Sequence, residues 1–355
     1  MRKNKTSGNT ASPVTQAFVA WTAGVSQQTV SQALSGTGRI SDTVRQHVID
    51  VAGRLEYRPN KQALALRNNT HGAIGLVGLK DNTRSFISSI FLQRLQISLL
   101  KINKYLAFVT VPSPDTGTME VNPAKMGIDG AFVNITQGDI KPLLNVFQSA
   151  GMPEIWINNK LKYNSVYPDD YGAASRIVSF MVSQNYLGIG YYVGSSLLPG
   201  RPPESHYSVE DRYLGYMDAM AKAGLKPMTF SASEMTSDDL RSFLRMGQPS
   251  PVLLCYEFNQ ALHVLMAAKS AGIKIPAELK IIYFHSEPIW DDGIDSLLRC
   301  LPVPNDKIAE AAISMFGHKS GSNARNLKSV AVPYDDKYFK HTLTGESYFD
   351  IVKEG

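Results

Sequence analysis

The feature that most restricts this chain is the alternation that begins at Ala73. Near-continuous apolar runs of strand length occupy 73–79, 106–111, 130–135, 154–158, 188–194, 252–257 and 280–285. Runs of this kind suit strands covered on both faces, as in a parallel sheet. Between them lie longer segments expected to be helices, such as 85–103, 171–184, 209–223 and 259–271. The last two are followed by Gly224 and Gly272, residues suited to helix ends. The expectation is an α/β body of doubly wound pattern, long enough for two parallel sheets. With 355 residues, 43% of them apolar, the chain can bury a large core and divide into more than one domain.

Ahead of this body the pattern changes. Ala23-Gly24-Val25-Ser26-Gln27-Gln28-Thr29-Val30-Ser31-Gln32-Ala33-Leu34 reads as the turn and second helix of a helix-turn-helix. Gly24 suits a turn with positive φ, and Ser26 is a good N-cap. Val30 and Leu34, four apart, form an apolar face, while Gln27, Gln28, Ser31 and Gln32 lie off it. Amides and hydroxyls without acids suit a DNA major groove, where a glutamine can pair with both polar groups of an adenine edge. A first helix is expected over about 16–21 with Val19 and Ala20 inward, and a loop follows at Ser35-Gly36-Thr37-Gly38. Ser41-Asp42 then opens a third helix, with Val44, Val48, Val51, Ala52 and Leu55 as its buried stripe. Pro59 ends that helix, Asn60 can cap a short new one, and the Ala/Leu-rich segment to Arg67 has high helix propensity but is too short to stand alone.

Charge follows the same division. Nine of the 36 Lys/Arg but only three of the 31 Asp/Glu precede Asn68, whereas the remainder is nearly neutral. A basic head on a neutral body points to a polyanion-binding module joined to something else. Cys255 and Cys300 form no disulfide framework or zinc pattern, which fits a reducing cytoplasm. No secretory leader and no membrane-spanning apolar window is expected. His206, His263 and His318 lack metal-ligand spacing and read as structural. No metal or cofactor is implied. Neither a Gly-x-Ser-x-Gly elbow, nor a phosphate-cradling Gly-x-x-x-x-Gly-Lys, nor His-Glu-x-x-His occurs, so nothing argues for an enzyme.

Ala-Gly-Val-Ser, then Thr-Val-Ser, a Ser-Gly loop, Tyr57-Arg58-Pro59-Asn60 and the Ala/Leu segment together resemble the lactose-repressor (LacI/GalR) family of transcription regulators over 14–67. The body resembles the periplasmic-binding-protein-like core of that family. Ile74-Gly75-Leu76-Val77, Asp129-Gly130-Ala131, Arg212-Tyr213-Leu214-Gly215-Tyr216, Ala223-Gly224-Leu225, Ala271-Gly272-Ile273-Lys274-Ile275-Pro276 and Val332-Pro333 fall in the expected order. The resemblance implies two lobes joined by three crossovers, with a small-molecule cleft between them. It implies base reading by Gln27, Gln28 and Gln32, and hinge helices whose Ala63 touches the minor groove and whose Leu66 levers it open. The full set expected at DNA is Thr15, Ser26, Gln27, Gln28, Thr29, Ser31, Gln32, Asn60, Lys61, Ala63 and Leu66.

Arg212 matches an arginine that in many relatives binds a sugar hydroxyl or carboxylate. Glu257-Phe258 and His285-Ser286 stand where the family commonly has Asn-Asp and Asp-Asp. Arg212, Glu257 and His285 are the expected effector residues. An imidazole in place of a carboxylate reverses the local charge preference and admits an anionic ligand, so a sugar, sugar acid or sugar phosphate is expected. Gly117 and Pro123 make a helix over 115–126 short or missing, and Trp290 could stack on a ligand or pack.

The expected organisation is a tail at 1–12, a helix-turn-helix head at 13–57, a hinge at 58–69, a body at 70–345 and a tail at 346–355. The first lobe is expected over about 70–160 and 300–330, the second over about 161–299 and 331–345. The expected function is a cytoplasmic, effector-controlled regulator, a repressor in the first instance, that binds pseudo-palindromic operator DNA as a homodimer, with a tetramer left open. The alternatives are the same architecture driven by a protein partner or by no effector, and a transport-type sugar-binding protein.

Overall fold

A computed structural model describes residues 14–36, 38–58, 70–79, 87–112, 121–136, 138–193, 206–231, 236–245, 250–287, 292–321 and 326–344. The chain divides into two compact units, 1–71 and 72–355.

The first unit holds α1 (Gln16–Ala23), α2 (Gln27–Ser35) and α3 (Asp42–Arg54). Each begins on a hydroxyl cap: Thr15 accepts from the Phe18 N–H, Ser26 from Thr29 and Ser41 from Val44. These bonds satisfy amides that the first helical turn cannot pair. Gly24 and Gly36 close α1 and α2 at φ +65° and +71°, a left-handed conformation that a Cβ disfavours. Val19, Ala20, Ala23, Val30, Ala33, Val48, Val51 and Ala52 form the core, with Val44, Leu34 and Leu55 packed at its margin. Ala33, rather than Leu34, is the deeper partner of Val30.

The second unit contains two parallel sheets. The first has the order β11-β5-β4-β3-β1-β2, with β1 (Ala73–Leu79), β2 (Tyr105–Val111), β3 (Ala131–Val133), β4 (Glu154–Ile157), β5 (Ser165–Pro168) and β11 (Val330–Val332). The second has the order β10-β9-β8-β6-β7, with β6 (Ile189–Val193), β7 (Met228–Ser231), β8 (Val252–Cys255), β9 (Lys280–His285) and β10 (Leu298–Pro302). Both faces of each sheet are covered over its central strands, as the unbroken apolar runs require, whereas edge strand β2 leaves Tyr105 and Phe108 exposed. On the first sheet, α4 (Ser89–Lys101) and α11 (Asn305–Gly321) bury Leu95, Leu99, Ala312 and Phe316 on one side, while α5 (Lys141–Ser149) buries Leu143 and Phe147 on the other. On the second, α6 (Asp170–Ser183), α7 (Tyr207–Lys222) and α12 (Lys337–Thr344) cover one face; α8 (Ser237–Leu244) and α9 (Phe258–Ser270) cover the other. A short α10 (Asp292–Leu297) precedes β10.

Three strands depart from the expected lobe boundaries. Ser165–Pro168, expected in the second lobe, pairs with β4 in the first sheet. Leu298–Pro302, whose end was expected in the first lobe, pairs with β9 in the second. Val330–Val332 returns to the first sheet beside β5. Strands at 165–168, 228–231 and 298–302 escaped the sequence pattern because Ser165, Thr229 and Arg299 break their apolar runs, and 330–332 because its run is only three residues long; pairing rather than periodicity decides their sheet. Among the described residues between β2 and β3 there is a 3₁₀ turn at Pro123–Lys125, capped by Asn122; 113–120 lies outside the described residues.

Candidate DNA-binding face and interlobe cleft

On the head, Gln27 and Gln28 open α2 with exposed side chains, one turn ahead of half-buried Ser31 and Gln32. Ser26 Oγ lies 2.9 Å from Thr29 Oγ1 as well as capping its amide. Two contacts fix α2. Gln16 Nε2 donates to Gln27 O at 3.3 Å, and Arg45 Nη1 donates to Gln32 O at 3.0 Å and to Ala33 O at 3.4 Å. The second places a cation at the negative end of the α2 dipole. Gln32 is folded against the loop: a Cβ at Gly38 would stand 2.5 Å from its Cδ. Phe18 and Trp21 stack at 5.8 Å on the outer side of α1. Asn60, Lys61, Ala63 and Leu66 lie outside the described residues.

In the body, Arg212 lies in the second turn of α7 and is only 7% exposed. Its Nε donates to Asp170 Oδ1 at 2.7 Å, its Nη1 to Tyr256 O at 2.6 Å and its Nη2 to Tyr334 Oη at 3.3 Å. Tyr334 Oη in turn donates to Asp170 Oδ1 at 2.8 Å. The guanidinium also lies 4.8 Å from the Tyr256 ring and 4.4 Å from the Phe284 ring. Burial is the largest influence and works against its charge, but Asp170 together with Tyr334, Tyr256 and Tyr191 outweighs it and holds the group well above the ordinary arginine value. Burial, then Asp170, pushes the Tyr334 phenol up. Arg212 is therefore an internal member of an ion-pair network, not an open fork on the cleft rim.

Glu257 and His285 stand at the carboxyl ends of β8 and β9, where open α/β sheets bind ligands. Arg212 touches the residue before each, Tyr256 and Phe284. Glu257 is the N-cap of α9, its N–H donating to Gln260 Oε1 at 3.0 Å. The His285 ring turns to its own loop, with Nδ1 2.6 Å from Glu287 O.

Several contributors carry no motif. His206, the N-cap of α7, has Nε2 2.9 Å from Asn158 O and Nδ1 2.6 Å from Ser208 Oγ. A carbonyl only accepts, so Nε2 carries the proton and Nδ1 accepts. Burial lowers the pKa of this imidazole. Ser208 Oγ continues the chain to Tyr256 Oη at 2.9 Å. Asp170, read from sequence as a helix start, is fully buried, and its Oδ2 has no hydrogen-bond partner among the described residues. The same holds for the Tyr191 hydroxyl on β6 and for Asn134 Oδ1 just beyond β3. Adjacent Asp169-Asp170 was the available signal, since a capping role explains only one of the two. No group of three or more His, Cys, Asp or Glu that could hold a metal occurs among the described residues. None of their helices is long and apolar enough to cross a membrane.

A helix-turn-helix head carried with a two-lobed parallel-sheet body defines a DNA-binding transcriptional regulator with a ligand-binding domain. The model of bacterial regulatory proteins of the lacI family matches residues 19–60, and that of the periplasmic binding protein-like domain matches 178–334. The chain thus carries a lacI-type helix-turn-helix domain and a periplasmic-binding-protein-like domain, the pairing found in lacI-family regulators. It is 28% identical over 288 residues to the HTH-type transcriptional regulator DegA of Bacillus subtilis, covering 76% of this chain and 80% of the relative. It is 26% identical over 326 residues to the HTH-type transcriptional repressor CytR of Escherichia coli, covering 86% and 91%. In fold it is similar to the lac repressor dimer bound to operator and an anti-inducer, with a TM-score of 0.61 at 16% identity over 91% of this chain and 97% of that one.

Proposed function

We propose that the protein is a repressor that binds a two-fold symmetric operator as a homodimer and answers to a small uncharged ligand, a sugar in the first instance, held between the lobes. The observation that carries the DNA-binding part is the polar, acid-free start of α2, with Gln27 and Gln28 exposed on a basic head. Thr15, Ser26, Thr29, Ser31 and Gln32 flank it. The hinge residues Asn60, Lys61, Ala63 and Leu66 extend the reading into the minor groove. The dimer is supported by an apolar surface on the first lobe. Ile97, Leu100 and Ile102 on and after α4, with Tyr105 and Phe108 on edge strand β2, are 44–69% exposed, an unusual concentration for water-facing side chains.

The ligand reading rests on the buried Asp170 Oδ2 and Tyr191 hydroxyl. An unpaired buried polar atom costs about 1–3 kcal/mol. Both atoms suit a hydroxyl, which donates to a carboxylate and accepts from a phenol. Because Asp170 already neutralises Arg212, a neutral polyol fits this end of the cleft better than a sugar acid or sugar phosphate. Glu257 and His285 border the same strand ends. Selection from random duplex DNA with the full-length protein tests the proposal. A symmetric sequence bound by two chains is the expected result; no enrichment, or one chain on an unpaired half-site, overturns it.

A further inference from the structure

The first turn of α4 carries no acidic residue, although the positive end of a helix dipole favours a negative charge there. That charge comes from the other lobe. Glu287, two residues beyond β9, places Oε1 2.7 Å from Ser88 Oγ and 3.3 Å from the Ile90 N, and in still closer contact with the Ser89 N. Ser88 is almost fully buried and uses the same hydroxyl oxygen to accept from Phe91 N at 3.4 Å. One carboxylate oxygen thus receives three donors at the head of a thirteen-residue helix. The loop that presents it is braced: Asn305 Nδ2 donates to Ser286 O, and His285 Nδ1 lies against the Glu287 backbone. Burial alone would raise the pKa of Glu287, but the donors from Ser88, Ser89 and Ile90 outweigh it and keep the group ionised.

Other cross-lobe contacts are of a different kind. Lys160 Nζ meets Asp211 Oδ2 at 2.7 Å, with Lys160 45% and Asp211 14% exposed, an ion pair between two side chains whose lysine end water can screen. His206 to Asn158 O is a bond between neutral groups. The Glu287 contact alone among these joins an ionised group to a helix terminus.

We propose that Glu287 is a built-in latch, closing the two lobes on one another when no ligand is bound. The inference rests on the reading of the body as a two-lobed sensor and specifies its resting state. The latch sets the balance between shut and open lobes, and an effector acts on that balance. A ligand shifts such an equilibrium only by binding one arrangement better than the other.

The test is a distance measurement on the full-length protein. Lys125→Cys and Lys269→Cys place one exposed thiol on each lobe, and the native Cys255 and Cys300 are buried away from label. Spin-labelled protein diluted into unlabelled chains, with no ligand added, should show a dominant short interlobe distance. Glu287→Ala should lower the ratio of short to long distances by about tenfold, the scale of charge-assisted hydrogen bonds. Glu287→Gln, which keeps the shape and one acceptor, and Ser88→Ala, which acts from the opposite lobe, should shift it the same way by less. An unchanged distribution in both Glu287 variants overturns the latch. Operator affinity measured on the same proteins reports separately on function. Opened lobes with unchanged operator affinity would leave the latch standing and remove the coupling between cleft and head.

Discussion

At the residue scale, Arg212 and Asp170 show how a residue singled out by motif can have a second task. Removing one member of a buried ion pair leaves the other uncompensated, at a cost of about 3–5 kcal/mol. Asp170→Ala should therefore lower the melting temperature of the body, measured by circular dichroism, and Arg212→Ala should do so too. The effector is better probed at Tyr191, whose hydroxyl has no partner to lose among the described residues. Tyr191→Phe is expected to leave the melting temperature unchanged or raise it, while weakening ligand binding about tenfold, as one lost hydrogen bond would. Calorimetric titration with a sugar found by thermal-shift screening decides this, and equal affinity in both proteins would place the pocket elsewhere. His206 adds a pH dependence. Its folded pKa lies below the ordinary 6.5, so unfolding takes up a proton as pH falls below about 6.5. Stability is then lost towards acid and regained above that pH. His206→Gln should flatten this part of the profile of melting temperature against pH; an unaltered slope would assign it to other histidines.

At the scale of elements, two helices approach so closely that only glycine fits. A Cβ on Gly215 in α7 would stand 2.3 Å from Tyr171 O and 3.0 Å from Ala174 Cβ in α6. Gly215→Ala should cost about 1–3 kcal/mol through forced separation of the helices, read as an earlier midpoint in urea. On the head, α2 is fixed by its caps, by Gln16 and by Arg45, so its polar side can be altered without unfolding it. Gln28→Ala is expected to weaken operator binding by about 1–3 kcal/mol, the range of a good base contact, and to relax selectivity at one base pair. A loss equal on all sequences would make Gln28 a backbone contact instead.

At the scale of the whole molecule, the charge asymmetry and the division into two units make separate statements. A chain beginning at Thr70 should keep the thermal transition of the body and lose operator binding. For the intact protein, operator affinity should fall steeply with salt, because neutralised phosphates release their counterions; a flat salt profile would exclude the basic head as the source of affinity. Charge at the apolar first-lobe surface should act on assembly alone. Phe108→Glu is expected to shift the protein from dimer to monomer in analytical ultracentrifugation, and an unchanged sedimentation coefficient would move the interface to another face.

What the sequence determined by itself is what local physics controls. Caps at Ser26 and Ser41, the left-handed turn at Gly24 and the helical spacing of Val44, Val48, Val51 and Ala52 depend on neighbours along the chain, and they laid out the head in order. Unbroken apolar runs likewise marked β1, β6, β8 and β9, because strands buried on both faces have no polar side to show. Only the tertiary structure decided the rest. Short strands such as Ser165–Pro168 and Val330–Val332 take their sheet from partners far along the chain. The pairing of Arg212 with Asp170, 42 residues apart, and of Glu287 with Ser88, 199 apart, has no periodicity to read. Side chains brought together by chain crossovers leave no mark on local sequence, and that is why the motif at Arg212 was legible while its buried partner and the cross-lobe carboxylate were not.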